Sequence, residues 1–296
     1  MVIQYPLYMM NIPVSYDTSI RNNAWMETYS EQEISVNLTE AIHELWEVYS
    51  FLSRYGFVYL LPSTSDCGLQ DLVFVSNNGI VLHHMSEPTY IGSNFRVANR
   101  RGEEVLGMDF FCRLGYNTIK CPHLFEGEAE LKYLRDNIYI GGYGMRSERK
   151  SYEWMEESFG MNVIALEQND PFLYHLDCAV FPLTKEKVIV SVESFTHSEL
   201  AAIERVAEII PISRLEAYGG LTNSVAVGNF ILNASNIDSL NPRSEEYRQE
   251  RAKLRRMEEI CVSNAMQPVY FKMDEYLKGG GSLSCCVLHV NRVNLQ

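Results

Sequence analysis

The apolar-periodic stretch from about Leu38 to Tyr55 predicts a helix, opened by Asn37 and Glu40 at capping-box spacing and stopped by Gly56. A β-rich run, 57–61, follows directly. Two strand-like runs come next, Leu72 to Val75 and Ile80 to His83, and Ser76-Asn77-Asn78-Gly79 between them carries the Asn-Gly signal of a hairpin turn.

The same order then recurs. A helix ends near Gly115 before a strand over 117–120, and another ends near Gly160 before a strand over 162–166. A helix from Ser198 leads to Pro211 and a strand over 212–215, and a charged helix from Ser244 leads to Pro268 and a strand over 269–273. Further strand candidates lie at 138–140, 188–192, 225–232 and 285–290. Five units of helix, strand and hairpin, spaced by about 45 to 60 residues, suggest blades around an axis, with an open mixed sheet as the plain alternative. No linker or low-complexity tract divides the chain, so 1–296 reads as a single α/β domain.

Composition narrows the function classes. With 46% hydrophobic residues the chain has ample material for a core. Its formal charge of −13 and pI near 5.0 argue against nucleic acid as a partner and suit a cationic small molecule. The apolar opening 2–10 lacks a basic flank and a cleavage site, and no run is long enough to span a membrane. Seven cysteines without framework spacing fit a reducing compartment, so a cytoplasmic location is expected.

The candidate chemistry starts at Gly279-Gly280-Gly281-Ser282-Leu283-Ser284-Cys285-Cys286, where a glycine run delivers a thiol onto an apolar strand. Upstream, His175 and Asp177 supply a base and a carboxylate two residues apart. If the five units are equivalent, residues at matching offsets after each first strand converge. Asp71 with Asn77, Glu126 with Glu130, His175 with Asp177, Asn223, and Cys285 fall one set per unit.

Those residues carry a resemblance. Asp71-Leu72-Val73-Phe74, Phe125-Glu126-Gly127, His175-Leu176-Asp177 and Gly281-Ser282-Leu283-Ser284-Cys285 occur in the order seen in the guanidino-group-modifying superfamily, which includes arginine deiminase, dimethylarginine dimethylaminohydrolase and the amidinotransferases. Met10-Asn11-Ile12-Pro13 and Asn22-Asn23-Ala24-Trp25-Met26 resemble the opening segment of its arginine dihydrolase branch. Asn77 stands where deiminases and dimethylaminohydrolases typically carry a guanidinium-binding aspartate and where the resemblance to the dihydrolase branch implies an asparagine.

The resemblance implies a five-bladed α/β propeller, the pentein fold, and a cysteine-dependent hydrolase of arginine that needs no metal or organic cofactor. Asp177 would grip a guanidinium, Cys285 would attack its carbon, and His175, oriented by Glu126, would move the protons. Asn77 would admit a neutral ureido group and so a second hydrolysis, giving ornithine. Asp71, Glu130, Asn23 and Arg100 would hold the rest of the substrate, and Arg100 has a competing reading as a helix-start arginine paired with Glu103 or Glu104.

The pattern also departs from that family. Glu130 replaces an expected aspartate, Ala129 a glycine and Ala24 a proline, which leaves another guanidine open as substrate. Arrest at citrulline, amidino transfer, and a silent binding protein on the same fold remain as alternatives. Cys286 reads as core, and Gly141 to Gly144 as a turn lining the pocket. His83-His84 and Cys112 with Cys121 lack zinc spacing. The 245–259 helix reads as a solvated charged face, with a homo-oligomer contact left open.

Overall fold

A computed structural model describes residues 5–292, so residues 2–4 of the opening apolar stretch lie outside the described residues. The chain begins with β1 (Leu7–Asn11), α1 (Leu38–Tyr55) and β2 (Phe57–Leu61). Then come β3 (Gly79–Val81), β4 (Thr89–Gly92), α2 (Glu103–Arg113) and β5 (Asn117–Lys120), followed by β6 (Leu131–Arg135), β7 (Ile138–Tyr143), α3 (Arg149–Phe159) and β8 (Asn162–Glu167). The next group is β9 (Val180–Pro182), β10 (Lys187–Ser191), α4 (His197–Glu204), β11 (Glu208–Ile212) and α5 (Arg214–Tyr218). The last comprises β12 (Val225–Val227), β13 (Phe230–Ala234), α6 (Glu245–Ser263), β14 (Gln267–Phe271), α7 (Asp274–Leu277) and β15 (Leu288–Asn291).

The strands form five three-stranded sheets, ordered β15-β1-β2, β3-β4-β5, β6-β7-β8, β9-β10-β11 and β12-β13-β14. In each, the first pair is antiparallel and the second parallel, joined by a helix, as a parallel crossover requires. The first sheet unites the two ends of the described chain, with Tyr8 opposite His289.

Helix α1 shows how local sequence sets this up. The Asn37 side chain accepts from the Glu40 amide at 3.4 Å, a cap of the kind that stabilises by about 1 kcal/mol. Ala41, Leu45, Val48 and Leu52, spaced four, three and four apart, are its buried stripe, and each large aliphatic contributes about 1.5–3 kcal/mol on burial. They pack in one core cluster with Tyr8, Phe74, Tyr276 and Cys286. Cys286 is therefore core, as expected, although it sits on a 3-10 turn rather than on the strand face that motivated the reading.

Several expected boundaries change. Asn78-Gly79 is no hairpin turn: a 3-10 turn spans Val75–Asn77, and Gly79 opens β3, which pairs with β4. The run at 225–232 is two strands joined at Gly228. Pro211 and Pro268 lie inside β11 and β14, and the strand expected at 212–215 divides, with Ile212 ending β11, Ser213 capping α5 and Arg214 and Leu215 opening it. Both strands are sheet edges, where a missing N–H is tolerated. Gly141 and Gly142 belong to β7 rather than to a turn. On α6, Glu250 and Lys253 are buried and paired at 2.8 Å, so that face is only partly solvated. Among the described residues no helix is long and apolar enough to cross a membrane.

Candidate active site

Short turns precede the first strand of four sheets: Val75–Asn77 before β3, Gly127–Ala129 before β6, Leu176–Cys178 before β9 and Ser284–Cys286 before β15. Asn223 occupies the matching place before β12. The first of these turns packs against both the second and the last. Gly127 permits this approach: its φ is +68°, and a Cβ there would overlap the Ser76 carbonyl oxygen.

At this convergence His175 Nε2 lies 2.8 Å from Glu126 Oε2. The Asn77 amide nitrogen is 3.2 Å from His175 Nδ1. With the carboxylate on Nε2, we assign the ring proton there, which leaves Nδ1 as the free base. Burial pulls the His175 pKa down, against the opposing hydrogen bond that His175 donates to Glu126. Burial alone would raise Glu126, but Arg146 and then His175 outweigh it and hold the carboxyl down to about 2.

Cys285 lies on the last turn, not on the strand itself. Its thiol donates to Asp177 Oδ2 at 3.7 Å and accepts from the Asn223 amide at 3.5 Å. The Ser284 hydroxyl donates to the same Asp177 oxygen at 3.0 Å, and the Ser284 N–H donates to Asn223 Oδ1 at 2.8 Å. Burial, then the Asp177 carboxylate, push the thiol up to about 12.

A second group surrounds Asp71. Asn22 Nδ2 donates to Asp71 Oδ2 at 2.6 Å, while Asp71 Oδ1 is buried with no partner among the described residues. Arg100 approaches Asp71 at 3.9 Å but is held by Glu103 through two contacts of 2.9 and 2.7 Å, so the pairing expected for a helix-start arginine is present. Burial raises the Glu103 carboxyl to about 7, with Arg100 opposing.

Glu130 accepts from the Leu176 N–H at 3.1 Å, and burial, then Glu126, keep its pKa well above the usual range. It thus supports the His175–Asp177 turn from behind. Asn23 commits both ends of its amide to backbone, donating to Gly279 O at 3.0 Å and accepting from Met26 N at 3.1 Å. Its neighbour Asn22 reaches the buried carboxylate instead.

Sequence reading did not single out Arg146. Its Nη1 lies 3.4 Å from Glu126 Oε2, its Nη2 donates to Asn22 O at 2.6 Å, and its guanidinium sits 4.8 Å from the Tyr174 ring centre. Its only signal was the glycine run just before it. Ser284 and Asn22, quoted only as parts of motifs, and Lys132 were given no role, since each gains meaning only from partners far along the chain.

Residues 12–292 match the family described as N,N dimethylarginine dimethylhydrolase, eukaryotic. The chain is 26% identical over 289 residues, 96% of itself and 85% of the relative, to an N(G),N(G)-dimethylarginine dimethylaminohydrolase of Mycobacterium tuberculosis. It is 27% identical over 290 residues to the bifunctional arginine dihydrolase/ornithine cyclodeaminase AgrE of Nostoc, covering 96% of this chain but 37% of that protein. In fold it matches the product-bound N-terminal domain of ArgZ, an arginine dihydrolase from Cyanobacteria, with a TM-score of 0.82 at 24% identity, covering 97% of this chain and 98% of that one. A thiol, an imidazole and three carboxylates delivered by recurring turns, in a chain with these relatives, lead to one conclusion: the protein belongs to the dimethylarginine dimethylhydrolase family and so to the guanidino-group-modifying superfamily, whose arginine dihydrolase branch it resembles in sequence and fold.

Proposed function

We propose that the chain is a cysteine-dependent hydrolase acting on C–N bonds of guanidines, and that it converts L-arginine to ornithine, two ammonia and carbon dioxide. The observation that carries this reading is Asn77 beside His175 Nδ1, an amide placed against the proton-moving nitrogen. An amide tolerates a neutral ureido group as well as a guanidinium, since it offers both a donor and an acceptor. We further infer that the five sheets close as blades around one axis, which the convergence of their leading turns supports.

In the first cycle His175 Nδ1 takes the Cys285 proton, the thiolate attacks the guanidinium carbon, and its negative charge is favoured by the bound cation. His175 gives a proton to the departing nitrogen, and ammonia leaves a covalent thiouronium. Nδ1, now free, takes a proton from water as the water attacks, which restores the thiolate and yields the ureido product. In the second cycle Cys285 attacks the ureido carbon and ammonia leaves again. Water then releases a carbamate that breaks down to carbon dioxide and the amine. Two waters enter for the two ammonia and one carbon dioxide released.

Asp71, with its unengaged buried oxygen, suits the substrate's ammonium group, and the Arg100 and Arg146 guanidiniums suit its carboxylate. The family match favours a second reading, hydrolysis of dimethylarginine to citrulline and dimethylamine. Incubation with each substrate separates the two: ornithine with about two ammonia per arginine supports the first. Citrulline from dimethylarginine alone supports the second.

A further inference from the structure

One buried cation beside the nucleophile has no part in the chemistry above. Lys132, on β6, is 6% exposed, and its Nζ lies 3.4 Å from Ser284 Oγ and 4.0 Å from Asp177 Oδ2. That carboxylate oxygen also receives the Ser284 hydroxyl and the Cys285 thiol. Three groups of the chain therefore converge on one oxygen, and Lys132 alone among them is a cation.

A buried ammonium is costly to desolvate, so its retention needs compensating carboxylates. Asp177 is the first. Glu128 is the second, a buried residue pinned by His289 N at 2.8 Å, His289 Nδ1 at 2.6 Å and Arg292 Nη2 at 2.6 Å. The titratable groups that feel Lys132 are thus Asp177 and Cys285 from their turns, Glu128 from the turn before β6, and His289 from β15. Lys132 opposes the burial and the Asp177 charge that push the thiol up.

A guanidinium substrate brings its own positive charge to the thiolate, whereas a ureido group brings none. We propose that Lys132 is a positioning residue for the nucleophile: through Asp177 and Ser284 it fixes the carboxylate beside Cys285, and it supplies the cation that a neutral, ureido-type substrate lacks. The inference rests on Cys285 as nucleophile, and its sharper half rests on the second hydrolysis. Lys132 is accordingly more important for the attack on citrulline than for the attack on arginine.

The test is a pH titration of thiolate absorbance, taken as the difference between each protein and its Cys285→Ala counterpart, for the parent, Lys132→Met and Lys132→Arg. Lys132→Met is expected to raise the Cys285 midpoint by about one pH unit, a tenfold change in thiolate fraction, and Lys132→Arg to restore most of it. Rates with citrulline supplied as substrate are expected to fall about tenfold further than rates with arginine. An unchanged midpoint in a Lys132→Met protein that melts like the parent overturns the proposal, as does an equal shift in Lys132→Arg. Should Lys132→Met fail to fold, Lys132→Gln gives the same reading. A parent that yields citrulline alone sinks the second hydrolysis while the titration still judges Lys132.

Discussion

The Asn77 amide nitrogen stands almost equidistant from the two ring nitrogens of His175, 3.2 Å from Nδ1 and 3.4 Å from Nε2. Such a donor lies against the edge and face of the imidazole and touches whatever group Nδ1 serves. Asn77→Asp places a carboxylate there, which holds a cation but repels the oxygen of a ureido group. Arginine consumption is expected to stay within about tenfold of the parent, while ornithine falls by more than about tenfold and citrulline accumulates. Product ratios by chromatography decide this. An unchanged ornithine yield removes Asn77 from the second hydrolysis.

Cys285→Ala is expected to lower turnover by at least about 10³-fold. It should still bind arginine, because no other substrate contact is lost, and calorimetric titration checks that. Arginine binding should also lower the thiol's titration midpoint in the parent protein, since a cation favours the thiolate that burial and Asp177 hold down. Alkylation of free protein should accordingly rise with pH across the neutral range.

Asp71→Ala tests the far end of the site. Loss of its buried Oδ1, which has no partner among the described residues, should raise KM for L-arginine by about tenfold to 10²-fold, with a smaller effect on an alkylguanidine that lacks the α-ammonium group. Equal losses for both substrates would place Asp71 in support of Arg100 instead.

Two carboxyls give opposite pH signatures. Glu126 is held down to about 2 against an ordinary 4.5, so its stabilisation is present above about 4.5 and is lost as pH falls toward 2. His175, lowered by burial, acts in the same direction: the unfolded chain takes up its proton first as pH falls through 6.5. Glu130 is raised, so its folded form holds a proton that the unfolded form has released, and stability falls as pH rises above 4.5. Glu130→Gln should therefore melt a few degrees above the parent at pH 8, with the gap closing toward pH 5. Melting curves across that range measure it, and a gap independent of pH would show that Glu130 is ionised in the folded protein.

Much of the site was legible because its residues recur at matching places before successive strands. Local rules also found α1, whose cap, stripe and stop agree. They failed where tertiary position decides. Asn78-Gly79 looks like a hairpin turn, yet Gly79 is pressed against Tyr90 and extends a strand. Pro211 and Pro268 look like breaks, yet edge positions accept them. Arg146 and Lys132 carried no local signal because their carboxylates lie 20 and 45 residues away, at Glu126 and Asp177.

The pairing of β15 with β1 has a bearing on how the protein comes into being. The turn that bears Cys285 leads into β15, and β15 finds its sheet on β1, where Asn291 stands opposite Leu7. A polypeptide still being synthesised therefore carries His175, Glu126 and Asp177 before Cys285 is added. Pairing of β15 with β1 thus ties the placement of Cys285 to a strand far back in the sequence, and a fragment that lacks either strand is expected to leave the Cys285 turn without its anchor.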